Sequence, residues 1–549
     1  VLPLKNETIT LDPAGASNAA SRQLVGQLYE TLLDWSTDEM HLQDLVPELL
    51  ARQPLWSADG RDVHFQLRLP SDPQAPRFSS DRCFARGVGR SIVASDVRNS
   101  WQRLADHPQG RALLRGRIEG WDAWADDHTR PAPQIIVDDA AGTVDIQLTR
   151  PQRDFESLLA NPQLAVVPAE CVRHYDGSGP DRPAFRNHPV GSGPFRLDHA
   201  HSTPRIFTLL RAEDRGLAVR AGLATVTLSI VAAANTRLLQ FQAGDLALFY
   251  PEGEQLQRLV TSPTQPTLRP GLVPEHSQLR RFSEPKVNVL LFVMKDPGLA
   301  TDPDLRRALS LAFDGPRYNN IIRTIYAGQA AGRLLPPGIG GSHGEFIHPF
   351  APAIPDLPRA QALLRGRSER IPLRYATTAT ALADSEIAIL RNAYAPLGVE
   401  LQAIRDNNYF SRITQKGSSI QAFSVLIEAD HFDPLTFFEN FTCEGALHPF
   451  IQYCDRDYDS LVEQLSATPP AVDTKSLILA LERRLGETTP MRPIEYPVLW
   501  QLSQPWLTGI LRHPISGLRI ERLRVEPSLS GRERFEAVNH ASIGAKDEF

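Results

Sequence analysis

The densest run of reactive side chains is Glu428-Ala429-Asp430-His431-Phe432-Asp433-Pro434, with three carboxylates in six residues. Carboxylates so spaced can hold an ammonium group through charge-assisted hydrogen bonds. The apolar residues 423–427 precede the run and read as a strand, so the acids stand at a strand's end, the usual edge of a ligand crevice in a parallel α/β sheet. Spacing leaves a second reading open: a solvated turn stabilised by Asp433-Pro434.

Further matches to reactive patterns lack their context. Gly340-Gly341-Ser342-His343-Gly344 fits the G-x-S-x-G elbow of serine hydrolases, but no strand enters it and no helix leaves it, so an irregular loop is the better reading of Ser342. Gly87-Val88-Gly89-Arg90-Ser91 lacks the Gly-Lys-Ser/Thr end of a phosphate loop and reads as a turn. His199-Ala200-His201 has no carboxylate or cysteine at a spacing that would complete a metal sphere. Neither a metal nor a cofactor is expected. Cys443 and Cys454 enclose a short polar, glycine-containing stretch, where a local disulfide and two free thiols are both open; Cys83 and Cys171 carry no motif.

The positions of these groups depend on a long chain of ordinary composition. At 549 residues, 42% hydrophobic and 22% charged, it is too long for one core and too apolar for disorder. Fifty-eight basic against 64 acidic residues leave a formal net charge of −6, with no basic excess for phosphates, so nucleic acid is not an expected partner. No apolar stretch approaches the roughly 20 residues of a membrane helix. Forty-five prolines favour short elements and rigid connections.

Periodicity places a short strand at 8–11 and a helix bearing Leu24, Leu28 and Leu32, with Ser17 and Asn18 as capping residue types ahead of it. A half-buried strand is expected at 63–69, a helix opening at Asp96, and a hairpin with arms at 134–137 and 143–148. Strands at 206–210 and 225–230 and a helix at 236–242 continue this irregular α+β mixture. From 288 the pattern changes. A strand at 288–294 and a helix at 303–313 lead to alternating helix and strand at 360–364, 371–375, 383–397 and 399–403, then to 409–416, the strand 423–427 and a helix at 457–465. Such alternation predicts an α/β lobe with largely parallel strands.

Taken together, these segments resemble the family 5 extracellular solute-binding proteins, the peptide, dipeptide and nickel class serving ABC importers. The likeness rests on Leu11-Asp12-Pro13 with the helix ending Tyr29-Glu30-Thr31-Leu32, on Pro47-Glu48-Leu49-Leu50-Ala51 with Asp59-Gly60 and Phe65-Gln66-Leu67-Arg68, and on Asp96-Val97 through Ser100-Trp101-Gln102-Arg103-Leu104. It continues with Pro189-Val190-Gly191-Ser192-Gly193-Pro194-Phe195, Arg306-Arg307-Ala308-Leu309-Ser310 and Pro336-Pro337-Gly338.

The resemblance implies an α/β fold with a mixed α+β first lobe: a two-lobed periplasmic-binding-protein clamshell of type II with an extra subdomain. Lobe I would take 1–45, 185–285 and 503–549, the extra subdomain 46–184, and lobe II 286–502, with crossings near 280–290 and 500–505. The implied function is a non-enzymatic, extracytoplasmic receptor that delivers an oligopeptide or modified peptide to an ABC importer permease by closing around it. The protein would be monomeric and periplasmic or extracytoplasmic; whether a leader or a lipid anchor preceded Val1 is left open.

By the same resemblance, Asp430 takes the place of the acid that receives a peptide's α-ammonium, with His431, Phe432 and Asp433 beside it. Ser17 and Asn18 match a first-lobe loop facing the ligand, Tyr375, Thr377, Asn407 and Tyr409 match second-lobe edges, and Cys443–Cys454 matches a disulfide of some relatives. The chain also departs from the family pattern. Ile427 stands where an aromatic is common, and Tyr375-Ala376-Thr377-Thr378 stands where dipeptide binders supply an arginine for the ligand carboxylate. A strict dipeptide pocket therefore does not fit, and a sugar or metal chelate stands beside a peptide as a candidate solute. A serine hydrolase using Ser342 would be an enzyme in place of a receptor, but the pattern around that serine lacks the strand and helix of an elbow. A cytoplasmic sensor with similar lobes is disfavoured by the balanced charge and by the lack of a helix-turn-helix segment.

Overall fold

The computed structural model describes residues 1–4, 8–176, 184–213, 221–261, 266–295, 297–323, 328–340, 348–367, 369–429, 431–469 and 472–526. The chain divides into two compact units, one formed by Val1–Pro251, Leu268–Arg280 and Gln501–Phe549, the other by Glu252–Thr267 and Arg281–Trp500. It passes from one to the other inside the strands Gln278–Ser283 and Met491–Ser503. Residues 252–267, which the resemblance puts in lobe I, group with the second unit.

In the first unit, Leu2–Leu4, Thr225–Ile230, Ile206–Arg211 and Phe195–Leu197 form a four-stranded sheet in that order. A second, antiparallel sheet runs Leu55–Trp56, Asp62–Gln66, Thr143–Gln147, Ile135–Asp138. Its alternation is clean: Val63, Phe65, Val144 and Ile146 are buried, whereas His64 and Asp145 pair at 2.7 Å on the opposite face. Residues 8–11 are not a strand. The N–H groups of Thr10 and Leu11 are drawn off to Ser21 Oγ and the Arg186 carbonyl, which leaves no ladder for a neighbouring strand.

The helix Ala19–Leu28 follows, buried through Leu24, Val25 and Leu28. Its end explains why two glycines stand in the 189–195 run. The Gly193 N–H donates to the Leu28 carbonyl at 2.9 Å, and a Cβ on Gly191 or Gly193 would lie 2.0 Å from the Leu28 oxygen or 2.4 Å from its carbonyl carbon. Only glycine admits such a close backbone approach.

In the second unit, Lys286–Phe292 lies between Met491–Ser503 and Ala422–Glu428, followed by Ile371–Thr377 and Val399–Arg405 at the edge. Ile371–Thr377 is parallel to both Val399–Arg405 and Ala422–Glu428, whereas Lys286–Phe292 is antiparallel to both of its neighbours. The expectation of largely parallel strands thus holds only for the three-strand edge. Those strands are joined by helical crossovers, Ala381–Tyr394 and Tyr409–Thr414, which parallel pairing requires.

The helix Pro303–Ala312, capped by Asp302, adds Leu305 and Leu309 to a core shared with Leu373, Ile387, Leu390 and Leu401. Two arginines tie this core to the helix Lys475–Thr488 and to the long strand after it. Arg306 donates to the carbonyls of Thr488 at 2.8 Å and Thr489 at 3.2 Å, satisfying the end of the helix Lys475–Thr488. Buried Arg492 donates to the carbonyls of Ser310 at 2.9 Å and Pro493 at 2.7 Å and stacks on Phe313; burial lowers its pKa to about 10. Among the described residues, no helix is long and apolar enough to cross a membrane.

Candidate functional site

The strands Ile371–Thr377 and Val399–Arg405 end together, whereas Ala422–Glu428 runs on past them, and the side chains of Tyr375, Thr377 and Ser424 point into a buried network. Glu386, on the helix Ala381–Tyr394, accepts from Tyr375 Oη at 2.8 Å, Tyr318 Oη at 3.1 Å and Ser424 Oγ at 3.1 Å on Oε1, and from Thr377 Oγ1 at 2.7 Å on Oε2. Burial, then the Glu386 charge, raises the Tyr375 pKa well above the ordinary tyrosine value. Tyr375 and Thr377, expected at a ligand edge, are 1% and 7% exposed, and both hydroxyls are committed to Glu386.

The acidic turn lies further along the neighbouring strand. Tyr375 pairs with Ala422, so Ser424 falls opposite Thr377 and Glu428 is four residues beyond it. At the usual strand rise this is about 13 Å, so the turn and the Tyr375–Thr377 end are not brought together. Lys286 sits between Glu284 at 3.1 Å and Glu428 at 3.3 Å and neutralises part of the turn's charge. Asp430 lies outside the described residues. His431 is buried and Phe432 half-buried. Asp433 is buried and accepts the Leu435 N–H on Oδ1 at 2.8 Å, starting the short helix Leu435–Phe438.

The loop after Val399–Arg405 is more open. Asn407 is exposed and accepts the Ala379 N–H at 2.9 Å, which ties two strand ends together. Tyr409 is buried and donates to the Ser424 carbonyl at 3.3 Å; burial, then Glu386, pushes its pKa up to about 12. Its neighbour Phe410, which sequence reasoning missed, is 37% exposed. In the first unit, Asn18 caps the helix Ala19–Leu28 by accepting the Ser21 N–H at 2.8 Å and donates to the Thr8 carbonyl at 2.7 Å. Ser17 is exposed, and its carbonyl accepts from Arg22 at 2.7 Å. Glu386 also escaped notice in the sequence, because its partners lie up to 68 residues away and form no local pattern.

Two disulfides are present, Cys443–Cys454 with Cα atoms 4.4 Å apart and Cys83–Cys171 with Cα atoms 4.9 Å apart. The weaker sequence patterns take structural roles. Arg90 bridges Asp96 at 2.7 Å and Glu170 at 2.6 Å. His201 pairs with Asp198, and His199 stacks on His188 with 3.9 Å between ring centroids. Ser342 lies outside the described residues, and among those described no group of three or more His, Cys, Asp or Glu is arranged to hold a metal ion.

Curated relatives share similar length with the chain. It is 24% identical to the dipeptide-binding protein DppE of Bacillus subtilis over 527 residues, 93% of this chain and 89% of that protein. It is 23% identical to the glutathione-binding protein GsiB of Shigella dysenteriae over 540 residues, 95% and 93% of the two chains. Among solved structures, HbpA2 from Haemophilus parasuis matches with a TM-score of 0.76 at 18% identity, covering 95% of this chain and 99% of that structure. The murein tripeptide binding protein MppA of Escherichia coli matches with a TM-score of 0.69 at 20% identity, covering 95% and 97%. These likenesses show the fold, that of type II periplasmic binding proteins with mixed α/β content. The model of bacterial extracellular solute-binding proteins, family 5 Middle, matches residues 44–447, and the chain belongs to that family of solute-binding receptors rather than to an enzyme family.

Proposed function

We propose that this protein is the extracytoplasmic receptor of an ABC importer and delivers an oligopeptide or modified peptide to the membrane permease, working as a monomer. The family match over residues 44–447 carries this reading, and the relatives that bind dipeptides and glutathione narrow it to peptides. At the level of residues, the support is the acidic turn after Ala422–Glu428. Asp430 is proposed to receive the ligand's ammonium group, with Phe432 beside it, while Asn407 and Tyr409 contribute a second edge. Asp433 serves the turn itself, because its carboxylate accepts the Leu435 N–H.

One observation favours a second reading. The segment where dipeptide binders place an arginine reads Tyr375-Ala376-Thr377-Thr378; it holds no cation, and the hydroxyls of Tyr375 and Thr377 are committed to Glu386, so a solute with a free carboxylate gains no positive partner from it. A sugar or metal chelate is the solute of that second reading. The test is a thermal-shift screen with a low-mass casein hydrolysate and with a panel of sugars and metal chelates. Stabilisation of the wild type by the hydrolysate, lost in Asp430→Asn, is expected. Stabilisation by the sugars or chelates alone replaces the peptide reading with the second one.

A further inference from the structure

At the open end of the parallel strands, the polar side chains are largely engaged with one another. Tyr375, Thr377 and Ser424 serve Glu386; Asn407 accepts from Ala379; Asp406 accepts the Asn408 N–H at 2.8 Å and pairs with Arg412 at 3.4 Å; Tyr409 donates to Ser424. Apolar groups here also face solvent: Leu382 is 49% exposed, Leu426 44% and Phe410 37%, and of these Phe410 is the aromatic one.

That ring is held on a platform. It stacks on Tyr409 at 4.5 Å between centroids and meets Phe423 and Phe450 edge-on at 5.7 and 5.6 Å. Phe423 is fully buried, so Phe410 covers it and cannot simply fold inward. Phe450 belongs to the short helix His448–Ile451, inside the loop closed by Cys443–Cys454. The same loop is pinned by the Met294 N–H, which donates to the Ile451 carbonyl at 2.6 Å. A rigid, partly exposed aromatic surface at the end of parallel strands has a clear chemical preference. It gains free energy chiefly by covering apolar surface, and it has no hydrogen-bonding atom to pair with a neutral polar side chain.

We infer that Phe410, seated on Tyr409, Phe423 and Phe450, is a specificity contact that selects solutes carrying a bulky apolar side chain. The inference rests on the peptide reading above and narrows it to peptides with an aromatic or large aliphatic residue. The loop closed by Cys443–Cys454 acts as a positioning element by holding Phe450 under the contact.

The test uses two synthetic tripeptide pools, one with Phe, Leu or Trp at each randomised position and one with Ser, Gly or Asn, titrated calorimetrically into the full chain. The wild type is expected to prefer the apolar pool by about tenfold, the scale of partial burial of one apolar side chain. Phe410→Ser should lower the apo melting temperature, since it uncovers Phe423, and in protein still folded at the titration temperature it should bring the two affinities to within about threefold; Phe410→Leu, which keeps Phe423 covered, should keep the preference for Leu peptides and lose that for Phe and Trp. Binding of both pools with an unaltered preference in Phe410→Ser and Phe410→Leu overturns the role of Phe410 and leaves the peptide reading standing. Binding of neither pool by the wild type overturns the peptide reading and takes this inference with it.

Discussion

Tyr375 Oη donates to Glu386 Oε1 at 2.8 Å, a contact that ties the end of the strand Ile371–Thr377 to the helix Ala381–Tyr394. With Thr377 Oγ1 on the second carboxylate oxygen at 2.7 Å, the helix Ala381–Tyr394 is stitched to the strand that precedes it. A buried carboxylate is stable only when its lone pairs are filled, and the hydroxyls of Tyr318, Tyr375, Thr377 and Ser424 fill these.

Glu386→Leu should therefore destabilise the second unit. It leaves several buried hydroxyls without their acceptor, at a cost of about 1–3 kcal/mol each before relaxation. Tyr375→Phe removes one donor of a shared set and should cost about 1 kcal/mol. Urea unfolding followed by tryptophan fluorescence measures both. A change within error for Glu386→Leu would mean that the network contributes nothing net.

Another buried carboxylate, Glu482, is perturbed by its burial. Glu482 accepts the N–H groups of Leu334 at 3.2 Å and Leu335 at 3.1 Å, and burial raises its pKa to about 7. The folded chain thus holds a proton that the unfolded chain, titrating near the ordinary glutamate value, has already released. Stability from this group is fully present below that ordinary value and is lost as pH rises through about 7. Glu482→Gln keeps an uncharged acceptor, so its melting temperature should exceed that of the wild type at pH 8 and not at pH 4. Parallel melting profiles for the two proteins across this window would count against the assignment.

The two disulfides should differ in worth because they close loops of different length. Cys83–Cys171 spans 88 residues and Cys443–Cys454 spans 11. Loop-closure entropy then gives about 4.5 kcal/mol for the first and about 3 kcal/mol for the second. Paired Cys→Ala variants, compared by chemical denaturation, should rank in that order.

Gly191→Ala and Gly193→Ala should each be strongly destabilising, since the new Cβ would lie 2.0 Å from the Leu28 oxygen or 2.4 Å from its carbonyl carbon. Backbone on both sides must shift, and a loss of about 3 kcal/mol or more is expected from overpacking of this kind. Gly87→Ala is a useful contrast: nothing lies within 4 Å of its Cβ position, and only its positive φ of 69° is strained. It should cost about 1 kcal/mol. Melting temperatures of the three variants decide the order.

Much of the element order was legible in the chain because its signals are local. Residues 206–210, 225–230 and 423–427, expected as strands, lie within the strands Ile206–Arg211, Thr225–Ile230 and Ala422–Glu428. Residues 8–11 misled because their alternation resembles a strand, while the Thr10 N–H finds Ser21 eleven residues on. The antiparallel placement of Lys286–Phe292 was not legible either, since a buried apolar run carries no direction.

What the sequence by itself determined is the family, the run of helices and strands, and the acidic turn at a strand's end, all carried by residue order and short-range periodicity. Only the tertiary structure decided that Tyr375 and Thr377 turn inward, that Arg306 and Arg492 serve backbone carbonyls, and that Phe410 keeps an exposed face. The roles of the two arginines depend on partners far along the chain, Thr488 for Arg306 and Ser310 for Arg492, and even Glu386, 11 residues from Tyr375, stands at no spacing that a periodic pattern would mark.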